Sequence, residues 1–170
     1  RKLDGRGRIL LYKSADLFKW EFVGDLFGKD SAGIMIECPD YNEEAGYLLF
    51  CEQFQPNEGK THLNIHTCRW CTGRIDYTTG KFKEENRGIV DFGFDVYAPQ
   101  TFAGKPVLMG WLNMWDRNVP SEKYGFAGML TAPRRFKVEN GELYQTLAFK
   151  GKEVLRKEVN GSLCDCAKEG

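Results

Sequence analysis

Polar and apolar residues alternate with period two through Arg135-Phe136-Lys137-Val138-Glu139, and elsewhere short apolar runs such as Tyr47-Leu48-Leu49-Phe50-Cys51 stand between turn signals. Both patterns are those of strands. They predict strands at 8–13, 20–24, 34–38, 46–53, 63–71, 81–84, 97–102, 106–112, 127–131, 135–139 and 142–147. Turns are expected at Asp40-Tyr41-Asn42, Pro56-Asn57-Glu58-Gly59, Thr78-Thr79-Gly80, Ala103-Gly104-Lys105 and Asn140-Gly141. The last is an Asn-Gly pair between two strand-like runs, the signature of a type I′ hairpin. Helical character is confined to 14–19, which reads as a connecting turn, and to 150–159. The fold class is all-β.

The strands fall into groups. Residues 34–84 and 97–147 each hold about four strands over some fifty residues, the size of a propeller blade. The two groups show no obvious sequence repeat, so the pattern admits a propeller and a sandwich alike. Two further strands before residue 34 belong to an earlier, incomplete sheet.

Composition narrows the function. The chain has 170 residues, 42% hydrophobic and 28% charged, enough for a packed core. Lys plus Arg and Asp plus Glu each number 24. That balance argues against nucleic acid and anionic membranes as partners. The apolar runs are too short for a membrane-spanning helix. The chain opens on Arg1 without a secretory signal pattern or an initiator Met, and so reads as processed, trimmed or part of a longer protein.

Six cysteines, Cys38, Cys51, Cys68, Cys71, Cys164 and Cys166, permit a disulfide framework that a chain of this size does not need. Cys68 and Cys71 have the spacing of a zinc or redox pair. They fall inside a strand, however, where three steps along the chain put them on opposite faces. No metal and no cofactor is expected. Reduced, half-buried thiols lean toward a cytoplasmic compartment. His62 and His66 read as polar strand residues.

What remains for chemistry is acidic and aromatic. Glu37 sits in Met35-Ile36-Glu37-Cys38-Pro39-Asp40, an apolar setting that suits a general acid. Asp91 and Asp95 flank Gly93, and Trp111 and Trp115 follow closely. Carboxylates bind sugar hydroxyls while rings stack on C–H faces. Each acid taken singly is more readily read as a loop cap or a solvated side chain.

Four stretches in one order resemble glycoside hydrolase family 32, the invertase, levanase, inulinase and sucrose-6-phosphate hydrolase family. They are 8–14 with Asp16-Leu17 and Trp20-Glu21; Glu37-Cys38-Pro39-Asp40; 91–102, ending Tyr97-Ala98-Pro99-Gln100-Thr101-Phe102, followed by Leu108-Met109-Gly110-Trp111; and 125–134 leading into 140–145. The resemblance covers nearly everything from Gly7 to about Phe149. It implies a five-bladed β-propeller followed by a β-sandwich, and retaining hydrolysis of terminal β-fructosyl linkages in sucrose, sucrose 6-phosphate, inulin or levan. By the same carry-over Glu37 is the acid/base, and Asp91, Asp95, Tyr97 and Trp111 lie on the fructose-binding rim. Family members occur on both sides of the membrane, which leaves the compartment open.

The departure from the family pattern matters as much. The Asn-Asp-Pro-Asn stretch that carries the family's nucleophile, and its Arg-Asp-Pro motif, do not occur in these 170 residues. The expectation is therefore a fragment: part of one blade plus two further blades over 1–149, then a connector toward a sandwich or a disordered tail over 150–170. Such a piece would be inactive alone and would self-associate through exposed sheet edges. The competing readings are a non-catalytic carbohydrate- or partner-binding remnant, and an arabinan- or xylan-acting five-bladed propeller enzyme. Tyr97-Ala98-Pro99-Gln100 and Glu37-Cys38-Pro39 favour family 32 over that last one.

Overall fold

Three antiparallel sheets follow one another along the chain in the computed structural model, which describes residues 5–28, 33–54, 66–116 and 118–152. The first pairs β1 (Ile9–Lys13) with β2 (Glu21–Phe27). The second runs in order β3 (Met35–Asn42), β4 (Tyr47–Gln53), β5 (His66–Asp76) and β6 (Lys81–Ile89). The third is built from β7 (Val96–Thr101), β8 (Val107–Leu112), β10 (Arg134–Glu139) and β11 (Glu142–Leu147), with β9 (Met129–Leu130) also pairing β8. Every pairing is between neighbours in sequence except β8 with β10, so the topology is a repeated meander of the propeller type.

Local chemistry explains the connections. Between β1 and β2, Ser14 Oγ accepts the Leu17 amide at 2.8 Å, and Asp16 Oδ1 accepts those of Phe18 and Lys19 at 2.9 and 2.8 Å. These side-chain bonds hold a turn in place of a helix. Asn140 and Gly141 have φ of 53° and 76°, the two left-handed residues that a type I′ hairpin needs, and Glu139 faces Glu142 across it.

The strands differ from the sequence expectation mainly in length. Asp40-Tyr41-Asn42 is not a turn: β3 continues through it to Asn42. A β-bulge between Glu37 and Asp40 absorbs Pro39, after which pairing with β4 resumes at Asp40↔Leu49. Likewise β5 and β6 extend to Asp76 and Ile89. A short 3-10 turn over Pro120–Tyr124 has no counterpart in the expectation. His62, Cys164, Cys166, the 56–59 turn and most of the 150–159 segment lie outside the described residues.

The middle sheet is buried on both faces. Along β4, Tyr47, Leu49 and Cys51 join Cys68, Trp70, Tyr97, Leu108 and Phe136 in a core against the third sheet. Leu48 and Phe50 point the other way, joining Ile9, Leu26, Ile36, Cys71 and Phe82 against the first. Cys68 and Cys71 thus face opposite sides, as their spacing requires. All four described cysteines are free thiols, and burial pushes Cys71 up to about 12.

Candidate active site

Two strands that each begin a sheet build the site by the same device. In β3 the sequence Glu37-Cys38-Pro39-Asp40 forms a bulge with Cys38 at φ 50°; in β7, Tyr97-Ala98-Pro99-Gln100 forms a bulge with Ala98 at φ 47°. Left-handed backbone is costly for a non-glycine residue, the more so before proline. Bulges re-aim the side chains beside them, and the two re-aimed here are Glu37 and Tyr97. They meet: the Tyr97 hydroxyl donates to Glu37 Oε2 at 2.7 Å.

The bulges are tied to one another across the sheets. Asp40 Oδ2 accepts both the Thr101 amide and the Thr101 hydroxyl at 2.7 Å. The Gln100 amide side chain donates to the Cys38 carbonyl at 3.4 Å, and the Ala98 amide donates to Cys51 Sγ at 3.3 Å. Cys68 Sγ, in contact with Cys51 Sγ at 3.4 Å, donates to the Val96 carbonyl at 3.2 Å. Buried thiols therefore hold the backbone on either side of Tyr97.

Three more residues complete the cluster: Trp115, one of the two rings noted in the sequence, and Gln53 and His66, which sequence did not mark as site residues. Gln53, the last residue of β4, donates its side-chain amide to Glu37 Oε2 at 2.8 Å and approaches the Tyr97 oxygen at 3.5 Å. His66, paired with Gln53 across β4 and β5, packs edge-on to Tyr97 and lies 4.4 Å from the Trp115 ring. Trp115, half exposed, sits T-shaped on Tyr97 at 4.8 Å and lies parallel to Trp111 at 6.1 Å, 7° between planes. Trp111 is itself opposite Tyr97 in the β7–β8 ladder, and Gly128 approaches it so closely that a Cβ there would lie 2.5 Å from the indole nitrogen.

Electrostatics keep the partners in their roles. Burial pushes the Tyr97 phenol above its ordinary value; the Gln53 hydrogen bond opposes this and the Glu37 bond adds to it, so Tyr97 stays a donor. Burial lowers His66 more than the Asp116 and Glu37 carboxylates raise it, which favours a neutral imidazole. Among the described residues no group of three or more His, Cys, Asp or Glu could hold a metal ion, and no helix is long and apolar enough to cross a membrane.

Of the residues expected from sequence, the structure brings together Glu37, Tyr97 and, through Trp115, Trp111. Asp91 has other partners: its Oδ1 accepts the Gly93 amide at 2.7 Å and its Oδ2 pairs with Arg134 at 2.7 Å. The Asp95 carbonyl accepts the Asn113 amide at 2.9 Å, fixing the entry to β7. Gln53 gave no signal of its own, because its partners are 16 and 44 residues away and are reached only through the bulges.

Successive antiparallel meander sheets packed face to face are those of a β-propeller, and the bulges of β3 and β7 place an aromatic-walled carboxylate between two of them. Residues 1–146 match the family model of the glycosyl hydrolases family 32 N-terminal domain, and the chain belongs to that family. The described sheets are one partial and two fuller blades of its five-bladed propeller. A sucrose-6-phosphate hydrolase of Staphylococcus xylosus is 41% identical over 157 residues, 89% of this chain and 32% of the relative. One from Salmonella typhimurium is 33% identical over 92% of this chain and 36% of its own length. Among solved structures, a Bombyx mori GH32 beta-fructofuranosidase superposes with TM-score 0.73 at 33% identity, over 85% of this chain and 32% of that one. A Lactobacillus gasseri sucrose-6-phosphate hydrolase gives 0.71 at 30%, over 85% and 34%. The chain spans about a third of the length of the curated relatives it matches.

Proposed function

We propose that the polypeptide containing this chain is a retaining β-fructosidase acting on sucrose, sucrose 6-phosphate or a fructan, and that Glu37 is its acid/base. The observation that carries this reading is the hydrogen-bonded cradle of Glu37, a carboxylate gripped by Tyr97 and Gln53 beside a wall of His66, Trp115 and Trp111. The names of the relatives supply the substrate class. In the first step Glu37 protonates the departing glycosidic oxygen as the bond to the fructosyl carbon breaks, while a second carboxylate about 5–5.5 Å away bonds to that carbon. In the second step Glu37 takes a proton from water, which displaces the carboxylate. Trp111 and Asp95 contribute to the fructose-binding rim, and Asp91 does so through the loop it fixes with Arg134. No Asn-Asp-Pro-Asn stretch supplies the nucleophile within these 170 residues. In this reading residues 1–149 are propeller and 150–170 lead toward a following sandwich.

The test compares two proteins. The product of the complete reading frame that encodes this chain should release fructose from sucrose or sucrose 6-phosphate, with β-fructose as the first anomer seen by NMR. Residues 1–170 alone should not reach about 1 s⁻¹, near the low end of ordinary enzymes. They should also self-associate in light scattering, because Phe18, Trp20, Phe22, Met129 and Leu130 are all exposed. Turnover by a monomer of residues 1–170 would mean the nucleophile lies within this chain. A complete product that binds sugars without cleaving them would favour the binding-remnant reading.

A further inference from the structure

We propose that Gln53 is a positioning residue for Glu37, and that with Tyr97 it decides which carboxyl oxygen carries the proton. The inference deepens the reading of Glu37 as acid/base and rests on it. Both donors converge on one atom: the Tyr97 hydroxyl reaches Oε2 at 2.7 Å and the Gln53 amide reaches the same Oε2 at 2.8 Å. A carboxylate oxygen has two lone pairs, and two donors converging on Oε2 compete with a proton for them. A proton added to Glu37 therefore resides on Oε1, the oxygen that the cradle leaves for the leaving group. Oε2 becomes the anchored oxygen, and the carboxyl plane is set by two directions instead of one.

Gln53 is built for this. Its carbonyl accepts the Ile34 amide at 2.8 Å, its backbone is paired with Met35 on one side and His66 on the other, and Glu52 and Phe54 beside it are buried. The side-chain amide is therefore launched from a fixed point. Its amide nitrogen lies 2.8 Å from Glu37 Oε2 and 3.5 Å from the Tyr97 oxygen, which closes a triangle of three polar atoms. A carboxylate can only accept, so the amide nitrogen, not its oxygen, must face Glu37. Gln53 acts on the oxygen remote from the reacting bond and so acts through Glu37.

The experiment uses the complete reading-frame product carrying Gln53→Leu, with two substrates that differ in their need for an acid. Sucrose needs its leaving oxygen protonated; a nitrophenyl β-fructofuranoside releases a stable anion without it. With the acid misplaced, kcat/KM on sucrose should fall about 10- to 100-fold, part of what a full general acid supplies. kcat/KM on the nitrophenyl substrate, which reports the first step alone, should stay within about threefold, because only the second step there needs Glu37, as base. Equal losses of kcat/KM on both substrates, or no loss of kcat/KM on sucrose, would overturn the proposal. Gln53→Met repeats the test should the leucine variant not fold. A crystal structure of the variant gives a readout independent of activity: the Glu37 carboxyl should turn or occupy more than one rotamer. Glu37 unchanged in a single orientation overturns the positioning role whatever the kinetics. A parent protein inactive on both substrates would sink the fructosidase reading instead, and the crystal structure alone would then decide the role of Gln53.

Discussion

β3 and β7 hold equivalent places, each the first strand of a sheet, and each breaks at an X-X-Pro-X bulge whose second residue is left-handed. Yet they deliver different chemistry: β3 presents a carboxylate, and β7 presents a phenol that donates to it. The surroundings differ in the same sense. Glu37 is partly exposed beside an exposed Pro39, while Pro99 is buried and Tyr97 lies buried against the rings of His66 and Trp115. One backbone device thus serves both strands, aiming a partly exposed carboxylate from β3 and a buried phenol from β7. Strain at Cys38 and Ala98 persists because the two bulges brace each other through Asp40, Thr101 and Gln100.

The largest effect should come from cutting that brace. Asp40→Ala removes the acceptor of two hydrogen bonds from Thr101 and leaves a part-buried amide without it, at a cost of about 3 kcal/mol in urea unfolding of the chain. A cost under about 1 kcal/mol would show that the bulges stand independently. Next comes the strain itself. Ala98→Val forces a β-branched residue into φ 47° and should cost about 1–3 kcal/mol, whereas Ala98→Gly should be neutral or stabilise by up to about 1 kcal/mol. The same sign for both variants would mean that backbone conformation is not what matters at Ala98.

The pH response should be smaller. His66 has its proton affinity lowered by burial, so below its ordinary value of about 6.5 the unfolded chain binds more protons than the folded one. Stability should therefore hold above about pH 7 and fall as pH drops toward 5. His66→Gln should flatten that slope while Asp116 and Glu37 remain; an unchanged slope would assign it to other groups. The smallest effect belongs to the first sheet. Phe18 is 91% exposed on the β1–β2 turn, and Phe18→Ser should change stability by less than about 0.5 kcal/mol while reducing self-association in light scattering.

Much of this arrangement was legible in the sequence, for identifiable reasons. Period-two alternation and Asn140-Gly141 located the β10–β11 hairpin because both are local signals. The doubly buried β4 read as a strand because its residues are apolar in an unbroken run. Asp40-Tyr41-Asn42 misled because its turn-forming composition was outweighed by pairing with β4 beyond the bulge. The repeat between the sheets escaped notice because it is one of backbone shape, preserved only as Pro39 and Pro99 two places after Glu37 and Tyr97. Gln53 and His66 became site residues only when β3, β4, β5 and β7 were brought together, which no local pattern records.

The central claim is that the β3 bulge exists to hold Glu37 as the acid/base. Its most direct test is the turnover of Glu37→Gln in the complete reading-frame product on sucrose or sucrose 6-phosphate. The amide keeps the shape but cannot cycle a proton, so kcat should fall by about 10²–10⁴ with the unfolding midpoint within a few degrees of the parent. Turnover within a few-fold of the parent would contradict the claim and remove Glu37 from the chemistry.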